Sequence, residues 1–281
     1  TGYDAEALMV NVPPIDSRDL VVANVTITGT GIVGQHTTVS WTVRNDGSGT
    51  LSGYWEDVAY LSADDTWGIG DPVLGRVGEH RTLASGGQYV ANLNAVIPPV
   101  TPGAYKVIVR SDVRNQIREG DETNNSGLSA PSMIDCRPLA LGAPYSSRFE
   151  WAAEHYYKVS VPAGEDLLIK LDAANAVGAN ELYVRYGAMA DRIHFDYSYS
   201  APFQPDQEIV VPSTLAGDYY ILARSTGVGG SSDYTILASL LEFSARSVSP
   251  DVGGNTGTVT TQIVGARLGE HTTAKLVMPA D

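Results

Sequence analysis

Between Thr101 and Asn125 the chain reads TPGAYKVIVRSDVRNQIREGDETNN, and this stretch constrains the fold more than any other. A Pro-Gly turn signal leads into Tyr105, Val107 and Val109 alternating with Lys106, Ile108 and Arg110, and an acidic, asparagine-rich loop closes it. Period-two alternation after a turn is the pattern of a strand with one face in a core. A tyrosine two residues after the turn glycine matches the tyrosine at corners of β-sandwiches, where the ring packs and the hydroxyl ties down a neighbouring loop. The same Gly-x-Tyr device returns at Gly217-Asp218-Tyr219, followed by Tyr220, Ile221 and Leu222. One sandwich therefore predicts a second.

The length of 281 residues accommodates two domains and part of a third, at about 100 to 150 residues per domain. With 29 Gly and 15 Pro beside 43% hydrophobic residues, the composition suits many short strands joined by tight turns. The sequence has no apolar window long enough to span a bilayer. It starts at Thr1 without a charged, apolar leader, so no signal peptide is visible and the chain is expected to derive from something longer. A formal net charge of −14 argues against nucleic acid, whose phosphates would be repelled. That charge serves either solubility or cation binding in acidic loops. Cys136 is the single cysteine, so no intrachain disulfide can form; this suits a cytosolic protein or a large bacterial surface protein alike.

Taken in order, Thr1 to Ile15 contains a Pro-Pro pair, and Ala5, Leu8 and Val10 suggest a strand remnant. SGLSAPSMID at Ser126 lies on TGYDAEALMV at Thr1 without gaps, so the first residues read as the last strand of a preceding repeat. Strands are expected at Leu20–Ile27, Thr37–Arg44, Asp57–Ser62, Gly87–Val96, Gly103–Ser111 and Gly127–Asp135, with Asn45-Asp46-Gly47 as a turn. Six or seven short strands make an immunoglobulin-like sandwich.

The series DLVV at Asp19, VRNDG at Val43, YLSADD at Tyr60, GAYKVIVRSD at Gly103 and REGDETNN at Arg118 resembles the CARDB family, named for cell adhesion in bacteria. Its pattern ends in Glu119, Glu122, Asn124 and Asn125. The resemblance implies an immunoglobulin-like, non-catalytic domain that occurs in tandem in secreted or surface proteins. Pro138 to Tyr145 then reads as a linker. Beyond it, YYKVSVPAG at Tyr156, NELYVRYG at Asn180, Gln207 to Val211, AGDYYILARS at Ala216 and SDYTILASL at Ser232 supply strands. This block resembles the bacterial pre-peptidase carboxy-terminal (PPC) domain, a jelly-roll-like sandwich often attached to secreted enzymes. It departs from that pattern at HFDYSYSAPFQPDQ, from His194 to Gln207, which is tyrosine-rich. The tail, with SVSP at Ser247, a turn at Gly253 and IVGA at Ile263, resembles the opening of an IPT/TIG-type domain. Half a sandwich exposes unpaired edges, so it is either disordered alone or docked. The expected fold is all-β, in tandem β-sandwiches, immunoglobulin-like and then jelly-roll-like. The expected division is residues 1–17, 18–137, 138–242 and 243–281.

Three features carry candidate chemistry. Asp64, Asp65 and Asp71 fall within eight residues with Gly68 and Gly70, which could supply oxygen ligands to calcium, though without EF-hand spacing; alternatively the aspartates cap backbone amides over Trp67. Glu119, Asp121, Glu122, Asn124 and Asn125 with Asp112 form either a cation site or a self-bonded arch between strands. Tyr197, Tyr199 and Phe203, flanked by Tyr183, Tyr186 and His194, could stack on sugar rings or grip a peptide, or they could pack in a core. Catalytic patterns are absent from the sequence: His36, His80, His155, His194 and His271 lie apart, and no metalloprotease helix, nucleophile elbow or phosphate loop occurs. Cys136 reads as a spectator thiol, and Asn24-Val25-Thr26 matches a glycosylation acceptor.

The expected function is a non-catalytic adhesion and spacer module of a large bacterial surface or secreted protein, with calcium as the one candidate cofactor and no cofactor required by the sequence. Its partners would be other domains of the same long chain and polysaccharide or extracellular protein, with no nucleic acid and no membrane insertion. The alternative is an accessory carbohydrate- or protein-binding module of a secreted hydrolase.

Overall fold

The computed structural model describes residues 18–175, 177–252, 258–269 and 272–274. The strand remnant expected near the amino terminus, the turn at Gly253 and His271 lie outside the described residues. The chain divides into two compact units, Thr1–Pro98 with Pro102–Asp135, and Pro99–Thr101 with Cys136–Asp281. Among the described residues every regular element is a strand.

The first unit holds β1 (Leu20–Gly29), β2 (His36–Asn45), β3 (Leu51–Ser62), β4 (Val73–Leu83), β5 (Gln88–Val96), β6 (Gly103–Arg110), β7 (Ser126–Leu128) and β8 (Ser132–Ile134). One sheet runs β1-β2-β5 and the other β4-β3-β6-β7, with β8 also paired to β6. The alternation read in the sequence sets the burial: Val39, Trp41 and Val43 of β2 are fully buried, as are Val107 and Val109 of β6. Asn45 ends β2, and the chain then crosses to the other sheet, because the Asn45 side chain satisfies four backbone groups around the corner. Its Oδ1 accepts from the amides of Asp19 and Gly47, and its Nδ2 donates to the carbonyls of Gly49 and Leu83. The two sheets approach closely at Gly127, where an added Cβ would fall 2.6 Å from Val22 Cγ1.

Three elements differ from expectation, the first being β3, which begins at Leu51 rather than Asp57. β4, with the sequence VLGRVGEHRTL, pairs along β3, and its glycines and charges hide the period. The closing strand is interrupted at Pro131, which has no N–H to donate. There Ser129 takes over from the ladder: its Oγ accepts from Val107 N at 2.8 Å and its own amide donates to Val107 O at 2.9 Å.

The second unit holds β9 (Arg137–Pro138), β10 (Tyr145–Phe149), β11 (Glu154–Val161), β12 (Leu167–Ala173), β13 (Asn180–Tyr186), β14 (Tyr197–Ser198), β15 (Gln207–Val211), β16 (Gly217–Ser225), β17 (Ser232–Leu240), β18 (Ser244–Ser249) and β19 (Gln262–Ala266). A sheet ordered β10-β17-β12-β15 faces one ordered β14-β13-β16-β11-β9. Phe149, Ile169, Tyr234 and Ile236 from the first sheet meet Tyr157, Val184, Tyr219 and Ile221 from the second in one core. The Gly-x-Tyr device works here as read: Tyr219 packs in that core and its hydroxyl accepts from Leu215 N at 2.9 Å. The stretch read as a linker is partly built in, since Arg137–Pro138 runs parallel to β11 and Leu139 is buried. β18 and β19 form a hairpin. Just after it, Arg267 N donates to Asp166 Oδ2 at 2.6 Å and Arg267 pairs with Glu165 at 3.2 Å, which ties the end of this hairpin to the second sandwich.

Candidate functional site

The acidic loop between β3 and β4 gives each aspartate its own intramolecular partner. Asp64 Oδ1 accepts from Thr66 N at 2.8 Å, Asp71 Oδ2 accepts from Gly68 N at 2.9 Å, and Asp65 pairs with Lys106. Trp67 lies across the outer face, edge-on to Tyr60 at 5.8 Å, with the Arg110 guanidinium 4.3 Å from its ring centre. Lys106 and Arg110 are the outward residues of β6, so they pull the loop down onto the sheet. Among the described residues no three His, Cys, Asp or Glu side chains are grouped as a metal ion requires.

The second acidic cluster ties the start of the sandwich to its far end. Glu119 accepts from Leu20 N and from Asn125 Nδ2 at 3.1 Å, and Asn124 Nδ2 donates to Asp19 Oδ1 at 2.9 Å. Asp112, buried in a left-handed conformation, accepts from the amides of Gln116 and Ile117 at 2.8 and 2.7 Å. Glu122 accepts from Glu119 N, and Asp121 from Thr123 N. These are the bonds of an arch between strands. Burial pushes the Glu119 carboxyl up to about 7, with the nearby Glu122 and Asp112 charges adding to the rise.

The tyrosine-rich segment forms the edge strand β14 and part of a cover over one sheet. Tyr197 and Tyr199 both pack against the core, and Tyr199 meets Tyr183 edge-on at 5.6 Å. Phe203 stands apart, 84% exposed and at φ +63°. The three residues therefore do not make one platform. Beneath the cover lies a charge network without a sequence signal, because its members are spread over three strands and a loop. Glu181 Oε2 receives Arg224 at 3.0 Å, Tyr183 OH at 3.2 Å and Arg192 at 3.3 Å; Glu154 receives Tyr156 OH at 2.7 Å and Arg224 at 3.3 Å. A cavity of about 380 Å³ sits beside it, lined by Tyr183, Arg192, Phe195 and Tyr199 among others.

A buried carboxylate lies at the centre of the first sandwich. Asp57 accepts from Trp41 Nε1 at 2.8 Å, Tyr89 OH at 2.8 Å and Ser111 Oγ at 2.6 Å, and Tyr89 OH also accepts from Trp55 Nε1 at 2.9 Å. Burial raises the Asp57 carboxyl above its ordinary range, opposed by these three donors. It shares the inward parity of Trp55 and Ala59 on β3. Cys136 is fully buried, with Sγ 3.3 Å from Met189 Sδ.

Comparison with known proteins bears on the first unit directly. Residues 17–128 match the CARDB family model. The matched CARDB segment runs from just before β1 to the end of β7, so it includes the whole Glu119–Asn125 arch. No curated protein matches the chain. Among solved structures, the CARDB domain of a Pyrococcus furiosus protein, in complex with di-metal ions, is similar at 17% identity and a TM-score of 0.30, covering 44% of this chain and 97% of that one. The pre-peptidase C-terminal domain of a Bacillus anthracis collagenase is similar at 13% identity and a TM-score of 0.31, covering 36% of this chain and 92% of that one. β-Glucosidase 3B of Thermotoga neapolitana, at 14% identity and a TM-score of 0.28, matches over 42% of this chain but only 17% of its own length. The resemblance to CARDB read from the sequence is thus matched by the family model over residues 17–128.

Proposed function

We propose that the chain is a non-catalytic spacer and adhesion segment of a larger bacterial protein that works outside the cell. The observation that carries this reading is the CARDB match over residues 17–128, the signature of an adhesion-related bacterial module, on a sandwich closed by its own arch. Arg18, Asp19 and Leu20, where the chain enters, are bonded to the arch and to the Asn45 corner. A chain fixed at its entry passes force into the β-ladder rather than into a slack loop. The Asp64–Asp71 loop belongs to the same reading as a self-bonded turn, its stiffness coming from Lys106, Arg110 and the Asp side chains. The charge network over Glu181 consists of carboxylates paired with arginines and tyrosines, which suits a rigid sheet face rather than proton transfer.

The test is an in-frame exchange in the parent protein. Residues 18–242 are replaced by an unrelated β-sandwich pair of the same length, and attachment of the cells is compared with that of an in-frame deletion. Attachment lost in both supports an adhesive role, and attachment lost only on deletion supports a spacer. Wild-type attachment in both would remove the proposal.

A further inference from the structure

One end of the second sandwich carries an unusual set of side chains. The loops there follow β10, β12, β14 and β16, and each presents one large apolar residue to solvent: Trp151 at 74% exposure, Val177 at 69%, Phe203 at 84% and Val228 at 58%. The loops are knit to one another. Thr226 donates to Ala179 O through both its amide and its hydroxyl, and Asn180 binds the carbonyls of Gln204 and Pro205. The chain leaves the sandwich at the opposite end, at Leu240, so these tips are not spent on its exit.

Trp151 is held with one ring face open. A Cβ added to Gly227 would lie 2.7, 3.0 and 3.1 Å from Nε1, Cε2 and Cδ1 of Trp151. Near-equal distances to a ring atom and both its neighbours place that point above the ring plane, so the indole lies flat on Gly227. Only glycine allows this approach, since Gly227 is also at φ +86°. One face is braced and the other is bare, which orders the ring at little entropic cost to a ligand.

The surroundings decide the ligand class. Arg148 pairs with Asp233 at 2.9 Å and with Glu150 at 3.6 Å, and Ser231 Oγ donates to Glu150 Oε2 at 2.9 Å. The carboxylates of Glu150 and Asp233 remain 74% and 67% exposed. Arg148, Asp172, Asp233 and Thr235 also line an open cavity of about 540 Å³ on the adjoining sheet face. Glu150 directly precedes Trp151 in the chain, and exposed carboxylates on these loops oppose burial in a bilayer and repel anionic lipid. They suit neutral hydroxyl donors instead, with the indole stacking on the apolar face of a ring. We propose that this end of the second unit binds a neutral polysaccharide, with Trp151 as the stacking platform and Glu150 and Asp233 as hydroxyl acceptors. The site is distinct from Tyr197 and Tyr199, and it does not depend on the spacer reading of the first unit.

The test uses the full chain and its Trp151→Ala and Asp233→Asn variants. Each is challenged with insoluble cellulose, chitin, xylan and peptidoglycan, with insoluble collagen, and with phosphatidylcholine vesicles. The expected result is retention on at least one polysaccharide, reduced tenfold or more in Trp151→Ala and several-fold in Asp233→Asn, while the unfolding transition of both variants stays at the wild-type temperature. Retention by no polysaccharide, or equal retention of wild type and Trp151→Ala, overturns the proposal. So does Trp151-dependent retention on collagen or vesicles without any on polysaccharide.

Discussion

Replacing Glu119 by Gln should make the first sandwich more stable above neutral pH. Glu119 is 7% exposed, receives Leu20 N and Asn125 Nδ2, and is pushed from 4.5 to about 7 chiefly by loss of water around its charge. A carboxyl whose proton affinity is higher in the folded state stabilises fully below its unfolded value, and that contribution disappears as pH rises through the folded value. The window is therefore pH 4.5 to about 7. At about 1.4 kcal/mol per tenfold change in proton affinity, the full effect is roughly 3 kcal/mol; solvent screening near the surface arch brings it to about 1–3 kcal/mol. Glutamine keeps the acceptor for Leu20. After an amide flip of Asn125 it also offers a donor to Asn125 Oδ1, which is buried without a hydrogen-bond partner. For a unit of about 120 residues, 1 kcal/mol corresponds to roughly 4 °C in Tm. Tryptophan fluorescence follows this unit well, because Trp41, Trp55 and Trp67 lie in it and only Trp151 does not. The Tm of Glu119→Gln minus that of wild type should grow by about 4–12 °C between pH 5 and pH 8. Asp57, raised in the same sense, is present in both proteins and cancels in the difference. Parallel pH profiles, or a variant less stable than wild type at pH 8, would refute the reasoning.

Other outcomes follow from the same contacts. Tyr89→Phe removes the hydroxyl that donates to Asp57 and accepts from Trp55 Nε1, and should cost about 2–3 kcal/mol in urea unfolding; a loss under 0.5 kcal/mol would contradict the buried network. Tyr219→Phe leaves Leu215 N without its acceptor and should cost about 1 kcal/mol, with the loop 212–216 becoming more sensitive to protease. Millimolar calcium and excess chelator should give coincident unfolding curves, since Asp64, Asp65 and Asp71 are already engaged. An upward shift with calcium that Asp65→Asn abolishes would instead make the loop a metal site.

Much of the fold could be read from alternation. Trp41 with Val39 and Val43, and Val107 with Val109, announced their inward face, and Gly217-Asp218-Tyr219 announced a hydroxyl-tied corner. Strand β4 escaped because Gly75, Gly78 and its charged residues break the period, and what places it is pairing with β3. β10 escaped because its five residues sit after Pro138 and Pro144, which read as a linker. The candidate sites were less legible. The arch around Glu119 was visible as a motif, but its grip on Leu20 spans 99 positions in the chain. The Glu181–Arg224–Glu154 network joins three strands, and no local spacing encodes cross-strand register. Trp151 gave no signal because an exposed tryptophan gains meaning only from the glycine beneath it, 76 positions later.

The central claim is that this chain works outside the cell as an adhesive spacer, and the most direct measurement is labelling of the parent protein on intact bacteria. An antibody raised against residues 18–242 should stain unpermeabilised cells, or detect the segment in the culture medium, and external protease should remove the signal. Staining that appears only after lysis, with the segment resistant to external protease and absent from the medium, would contradict the account.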